Sequence, residues 1–426
     1  MRKIFRNARV LDATGAKPFA ADVLIENNRI KTIARDLGQI DGAGADEIDA
    51  DGRTLMPGMV EGHAHITFVG IELPSELGEM PPEDHTIKTA ANARLLLDHG
   101  FTSAYSAASA KPRIDVAIRE AIAEGILVGP RLRAASPEIT VTAGLGDERK
   151  AHLYRESFGM IGDGPEELRK VCRLCIREGI DNLKINISGD EFATSARAEI
   201  TPMAEDEIAA CVAVGRDFGK RISAHARAAE SVKRAVRHGI DVIYHCDFAD
   251  EEALDMLESV KDKIFVGPAF GLVHNCVKDQ AAIGFDPQMA EDLGLYRKFD
   301  ACVATYHEMR KRGIRVVIGG DYGFAQTPMG MNARDIAHFV DYFGYSPDEA
   351  IQCATRIGGE LMGMGDELGQ VREGWLADLI MVEGDPLADP GLLQHKENIL
   401  FVMKDGVLYK DARATGGVAQ GLIAAQ

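Results

Sequence analysis

TLMPGMVEGHAHI, residues 54–66, is a short apolar strand, a Pro-Gly turn and a second strand that ends on two histidines. Upstream of Pro57-Gly58 the chain reads as a β meander. Downstream, short apolar strands alternate with amphipathic helices. In an extended strand residues i and i+2 face the same side, so the imidazoles of His63 and His65 reach toward one point. Neutral imidazole is the commonest ligand of zinc-like metals. An isolated His-x-His is more often an ordinary surface or core pair, so its companions decide.

Before this stretch, ADVLIENNRIKTIA (21–34) holds two β-branched runs separated by Glu26-Asn27-Asn28, a hairpin signal, and DEIDADGRTLMPG (46–58) adds a turn at Asp51-Gly52. The far end matches it. GQVREGWLADLIMVEGDP (369–386) and ILFVMKDGVLYKD (399–411) read as strands, the latter turning at Asp405-Gly406. These patterns predict that residues 1–57 and 367–426 meet in a small composite β-sandwich domain.

Between the ends, strands are expected at MVEGHAHI, FTSAYSA, RLRAAS, DNLKINIS, RISAHA, DVIYHC, IFVGPAF and RVVIGGD. Helices such as 85–99, 205–218 and 229–238 each finish at a glycine able to take the left-handed cap conformation. Eight βα units in succession predict an α/β chain whose residues 58–366 form a distorted (β/α)8 TIM barrel. Two longer connections, 141–164 and 272–294, are candidate active-site loops.

The 426 residues, 46% hydrophobic and 27% charged, suit a large soluble core. No stretch reaches the ~20 apolar residues of a membrane span, and MRKIFRNARVLDATG lacks the apolar run of a signal peptide. A cytoplasmic location is expected. The net charge of −18 argues against nucleic acid or an anionic membrane as partner; a small-molecule substrate and a homo-oligomer are expected. Seven scattered cysteines, an odd number, do not suggest a disulfide framework. Cys172 and Cys175 form a CxxC, but within a helical pattern and with no second pair, so they read as two cysteines on one helix face.

Lys184 stands in DNLKINIS, a buried-strand sequence. A buried ammonium costs several kcal/mol unless it is paired or becomes neutral, and a neutral lysine amine can add CO2 to give a carbamate, an anionic two-oxygen ligand. The plain alternative is a strand-end lysine reaching solvent or a carboxylate. His225 and His245 each fall at the C-terminal end of an apolar strand, the rim where barrel enzymes keep catalytic groups. Asp321 closes RVVIGGD after two glycines that allow close backbone approach; it is placed for metal and proton chemistry, or else as a helix N-cap.

The order His-x-His, Lys, His, His, Asp resembles the amidohydrolase superfamily with a carboxylated lysine, as do the stretches 21–34, 54–66, 368–387 and 402–411. Within it the chain is most similar to the imidazolonepropionase-related and Xaa-Pro dipeptidase-like branch. The resemblance implies that His63, His65 and Asp321 hold one divalent metal ion and His225 and His245 a second, bridged by carboxylated Lys184. Zinc is the default metal; cobalt, manganese and iron suit the same donors. It further implies hydrolysis of an amide-like carbon–nitrogen bond (amide, N-acyl amino acid or dipeptide, carbamate or urea) by a water activated between the ions, with Asp321 passing the proton to the leaving nitrogen. Arg227 is a candidate for a substrate carboxylate or carbonyl, against the alternative of an ion-paired arginine. His274 and Tyr322 are further substrate-contact candidates. The chain departs from the family pattern at Glu61, where Asp is usual, at His245-Cys246-Asp247, where His-Gly-Asn is common, and at Arg227, where dipeptidase-like relatives often carry Tyr. A Gly-Gly-His run common after strand three is replaced by TVTAGLGDE (140–148). The other readings are a cyclic-amide hydrolase, a deaminase of the same superfamily, which generally lacks the bridging lysine, and a non-catalytic scaffold.

Overall fold

A computed structural model gives the fold of residues 2–153, 156–193 and 195–413. The end of the expected terminal domain, 414–426, lies outside these described residues.

Strands from both ends of the chain share one eight-stranded sheet. Its order is Val407–Asp411, Ile399–Lys404, Leu379–Val382, Thr54–Pro57, Arg2–Val10, Phe19–Glu26 and Arg29–Ala34, with Asp46–Asp49 also paired to Arg2–Val10. Neighbours are antiparallel except where Arg2–Val10 runs parallel to Asp46–Asp49 and Thr54–Pro57. The sheet is therefore mixed, not the simple meander that the hairpin signals suggest. Asp51-Gly52 and Asp405-Gly406 have φ of 49° and 77°, and 50° and 73°. These left-handed values suit tight turns, and Asp and Gly tolerate them best. One face of the sheet buries Phe5, Val23, Ile25, Leu55, Leu379 and Phe401.

The middle of the chain forms parallel sheets. Met59–Ala64, Phe101–Ser106 and Arg131–Arg133 make a three-stranded sheet. A six-stranded sheet runs Met160–Ile161, Ala135–Thr140, Asn182–Asn186, Arg221–Ala228, Val242–Phe248 and Phe265–Gly267. The chain passes from one sheet to the other between Arg133 and Ala135. At the opposite edges both sheets bond to residues 315–318: Val266 N donates to Arg315 O at 3.0 Å, Val317 N to Val266 O at 2.9 Å, and Gly62 N to Ile318 O at 3.1 Å. The expected strand RVVIGGD is thus reduced to one parallel bridge, Val266 to Val316. Gly319 at φ 148° and Asp321 at φ 63° turn its second half out of the extended conformation.

Helices Pro82–Asp98, Glu205–Asp217 and Ala229–His238 are followed by Gly100, Gly219 and Gly239 at φ of 85°, 62° and 70°, the left-handed values their positions foretell. Helix Gly164–Arg177 buries Leu168, Val171, Cys172 and Cys175, a single helical stripe, so the CxxC belongs to the core. All seven cysteines are buried and free. The expected loop 272–294 is largely helical instead, in Phe270–Lys278, Gln280–Ile283 and Pro287–Asp292. Burial of Phe270, Val273, His274 and Cys276 holds the first of these in place, a helical spacing inside a segment rich in Gly and Asp. Among the described residues no helix is long and apolar enough to cross a membrane.

Candidate metal centre and substrate cavity

Each candidate ligand sits where a parallel strand delivers it. His63 lies in Met59–Ala64 and His65 one residue beyond it. Lys184 is central in Asn182–Asn186, His225 and His245 lie in Arg221–Ala228 and Val242–Phe248, and Asp321 follows the 315–318 segment. Lys184 is opposite Glu138 and Ser223, Asn186 is opposite His225, and Ala226 is opposite His245. That register brings the inward-facing groups together at one end of the sheets. All six are buried, and Asp321 is the most open at 8% exposed.

Three donors converge tightly. His63 Nε2 and His65 Nε2 are 3.2 Å apart, and Asp321 Oδ1 lies 3.6 Å from the first and 3.2 Å from the second. Two ring nitrogens and a carboxylate oxygen on one point form a set that can hold a metal ion. The His65 Nδ1 contact to Ala108 O at 3.2 Å orients the ring with Nε2 inward. Beside this set, the rings of His225 and His245 lie 4.1 Å apart, and those of His63 and His245 5.3 Å. His225 Nε2 is engaged by Gly189 O at 2.9 Å, which reserves Nδ1 for another partner. The buried Nδ1 atoms of His63 and His245 have no partner among the described residues. Lys184 Nζ lies 5.0 Å over the Tyr244 ring and makes no ion pair among the described residues. An unpartnered buried nitrogen such as His245 Nδ1, near the His63–His65–Asp321 set, fits the demands of cation binding.

Electrostatics agree with that use. Burial pushes the His63, His225 and His245 imidazoles well below their ordinary pKa, so they are neutral, as metal ligands must be. Burial also lowers the Lys184 amine, although Glu138 and Asp321 oppose the shift. Burial disfavours the charge on Asp321, but the facing His63, His65 and Arg227 outweigh it and keep the carboxyl below its usual range.

The backbone pays for this arrangement in strain. His245, Cys246 and Asp321 have φ of 77°, 55° and 63°, where a non-glycine residue costs on the order of 1–3 kcal/mol and persists only if its surroundings enforce it. Gly319 is needed for a different reason: a Cβ there would lie 2.3 Å from His63 Cβ and 2.6 Å from His63 N. Asp335 props the same turn, accepting from Gly319 N at 2.8 Å and Tyr322 Oη at 2.7 Å. Glu61 accepts from His63 N at 3.1 Å and Asn332 Nδ2 at 2.7 Å, and burial raises its pKa to about 8.

The six candidate ligands line a single cavity of about 770 Å3, open mouth included. Phe68, Leu77, Leu145, Phe158, Leu272 and Phe324 give it apolar walls, and Glu138 and Asp190 add carboxylates near Lys184 and His225. Phe68 stacks on His65 with ring centroids 4.1 Å apart.

The three expected substrate contacts are not among the described residues that line it. Arg227 is 2% exposed and bound by carboxylates, with Nε donating to Asp190 Oδ2 at 2.7 Å and Nη1 to Asp247. His274 lies on helix Phe270–Lys278, stacked on His338 at 4.2 Å with Nε2 3.2 Å from Tyr342 Oη. Burial there lowers its pKa to about 3. Tyr322 spends its hydroxyl on Asp335. The Arg227 guanidinium, His274 Nε2 and the Tyr322 hydroxyl each meet a protein partner, while His274 Nδ1 has none among the described residues. Glu138 escaped the sequence reading, although a glutamate inside ASPEIT (135–140) is as anomalous as Lys184 in its strand. Phe68, Phe158 and Phe324 come from irregular segments, whose side-chain directions no periodicity reports.

Comparisons with known proteins agree with this architecture. Residues 54–409 match the model of the amidohydrolase family. An ochratoxinase of Aspergillus niger is 26% identical over 379 residues, covering 84% of this chain and 75% of that protein. A crystal structure of an amidohydrolase superposes with a TM-score of 0.83 at 27% identity, covering 96% of this chain and 99% of the other. An Xaa-Pro dipeptidase with bound methionine superposes with a TM-score of 0.84 at 25% identity, covering 96% and 100%. These likenesses fall in the dipeptidase-like branch that the motifs resemble. The chain belongs to the amidohydrolase family and is a hydrolase acting on carbon–nitrogen bonds.

Proposed function

We propose that the chain is a binuclear metal-dependent hydrolase that cleaves an amide-like bond in a small molecule with a sizeable apolar group. The observation that carries this reading is the convergence of His63, His65, Lys184, His225, His245 and Asp321 on one apolar-walled cavity. In this reading the parallel sheets and residues 315–318 close a (β/α)8 barrel over 58–366, and the eight-stranded sheet anchors a composite domain from 1–57 and 367–426.

His63, His65 and Asp321 would hold one divalent ion and His225 and His245 the other, with Lys184 as a carbamate between them and zinc as the default metal. When bound, such ions supply Lewis acidity and lower the pKa of water from ~15.7 toward about 7. Asp321, kept ionised, takes a proton from the attacking water and delivers it to the departing nitrogen, a base that becomes an acid. The neutral imidazoles leave that carboxylate as the proton carrier. Phe68, Phe158 and Phe324 seat the apolar part of the substrate and exclude bulk water from the reacting carbonyl. A panel of N-acyl amino acids, dipeptides, anilides, carbamates and ureas tests the reading. Release of amine that is lost on chelation and restored by zinc supports it; hydrolysis that survives complete metal removal would refute it.

A further inference from the structure

We propose that Arg227, clamped between Asp190 and Asp247, is a positioning residue that sets the places of His225 and His245; the inference rests on reading those histidines as ligands. Arg227 follows His225 by two residues, and Asp247 follows His245 by two across the left-handed pair His245-Cys246. The guanidinium donates from Nη1 to Asp247 and from Nε to Asp190 Oδ2 at 2.7 Å. Asp190 lies just past Asn182–Asn186. One planar side chain therefore ties the ends of three neighbouring strands, the ones that carry Lys184, His225 and His245.

Other bonds hold the clamp in place. Arg227 N donates to Ser188 Oγ at 2.8 Å, Thr305 Oγ1 to Asp247 O at 3.1 Å, and Lys298 Nζ to Glu191 Oε2 at 2.8 Å. Glu191 Oε2 is itself 3.7 Å from Arg227 Nε. The link to the histidines is direct on both sides. Asp190 Oδ2 is 3.8 Å from His225 Nε2, and its neighbour Gly189 presents the carbonyl that engages the same nitrogen. His245 and Cys246, the left-handed pair, lead straight into Asp247, so the ion pair closes the strained turn that aims His245.

A buried ion cluster is a poor source of stability compared with packed apolar groups. What it offers is fixed geometry: an arginine fork donates to two carboxylates in one plane, whereas a lysine offers a single point charge. With Nε and Nη1 engaged on protein carboxylates, Arg227 acts through the histidines whose strands it ties together.

The test uses Arg227→Lys and Asp247→Asn in the full chain, each checked for native circular dichroism. In 15N-histidine spectra of metal-free protein, the His225 and His245 signals should move while those of His63 and His65 stay. Zinc titration of the same variants should show one of two ions weakened at least tenfold. Unchanged signals from all four histidines in either folded variant would overturn the proposal, as would equal movement of all four, which marks a general loosening. Two variants guard against one failing to fold. If the unaltered chain bound only one ion, the two-ion reading would fall while the histidine spectra still decided the clamp.

Discussion

Arg227 and Asp247 neutralise each other across neighbouring strands, buried at 2% and 1% exposure. Each departs from the family pattern, Arg227 two residues after His225 and Asp247 two residues after His245. In space they are one pair. An arginine that read as a substrate contact is consumed by the aspartate two residues beyond His245.

Arg227→Met would leave Asp190 and Asp247 as buried charges without their main partner. Breaking a buried ion pair by removing one member costs about 3–5 kcal/mol. Urea unfolding of metal-free protein should show a loss of this size, partly recovered by adding Asp247→Asn. A loss below about 1 kcal/mol would mean that the cluster is screened by water.

Asp115, outside the candidate ligand set, gives a pH signature. It is 1% exposed, accepts from Ala135 N at 3.2 Å, and burial pushes its pKa up to about 6. A raised carboxyl pKa contributes stability fully present below the unfolded value, ~3.9, and lost as pH rises through about 6. The advantage of wild type over Asp115→Asn should therefore shrink by up to about 3 kcal/mol between pH 4 and pH 7, since one pKa unit is ~1.36 kcal/mol. Denaturation at several pH values measures it; a flat difference would contradict the buried, proton-binding state.

Asp321→Asn should fold normally and lower kcat by about 10²–10⁴, the usual worth of a positioned acid–base group. Steady-state kinetics against the best substrate of the panel checks this, and turnover within a factor of three of wild type would remove Asp321 from proton transfer.

Gly319→Ala places a methyl group against the backbone and Cβ of His63. Neither atom can yield without moving the strand, so metal content should fall even where the protein remains folded. Elemental analysis reads this, and full metal occupancy would show that the turn tolerates the shift.

Phe158→Ala removes part of the apolar wall. A pocket contact of this kind contributes about 1–3 kcal/mol to discrimination, so kcat/KM for substrates with an aromatic group should fall at least tenfold while metal content holds. An equal loss for small acetyl substrates would place the effect elsewhere.

Much of the fold was legible because its signals are local. Period-two alternation and Asp-Gly turns marked the terminal strands, and capping glycines marked the helix ends. The ligand positions were legible because a buried lysine and strand-end histidines have few inexpensive explanations in an apolar strand. What escaped depends on contacts distant in sequence. The parallel pairing of Arg2–Val10 with two other strands and the capture of Arg227 by Asp190 and Asp247 have no periodic signature, and the helical spacing within 270–278 is masked by the Gly and Asp around it. Glu138 was within reach of the same reasoning that singled out Lys184, and the two turn out to be cross-strand partners.

The most direct test of the central claim is elemental analysis of protein purified without chelators in the presence of bicarbonate. The account predicts two divalent ions per chain, falling to one or none in Lys184→Ala. One ion or none in the unaltered chain, or two retained without Lys184, would contradict it.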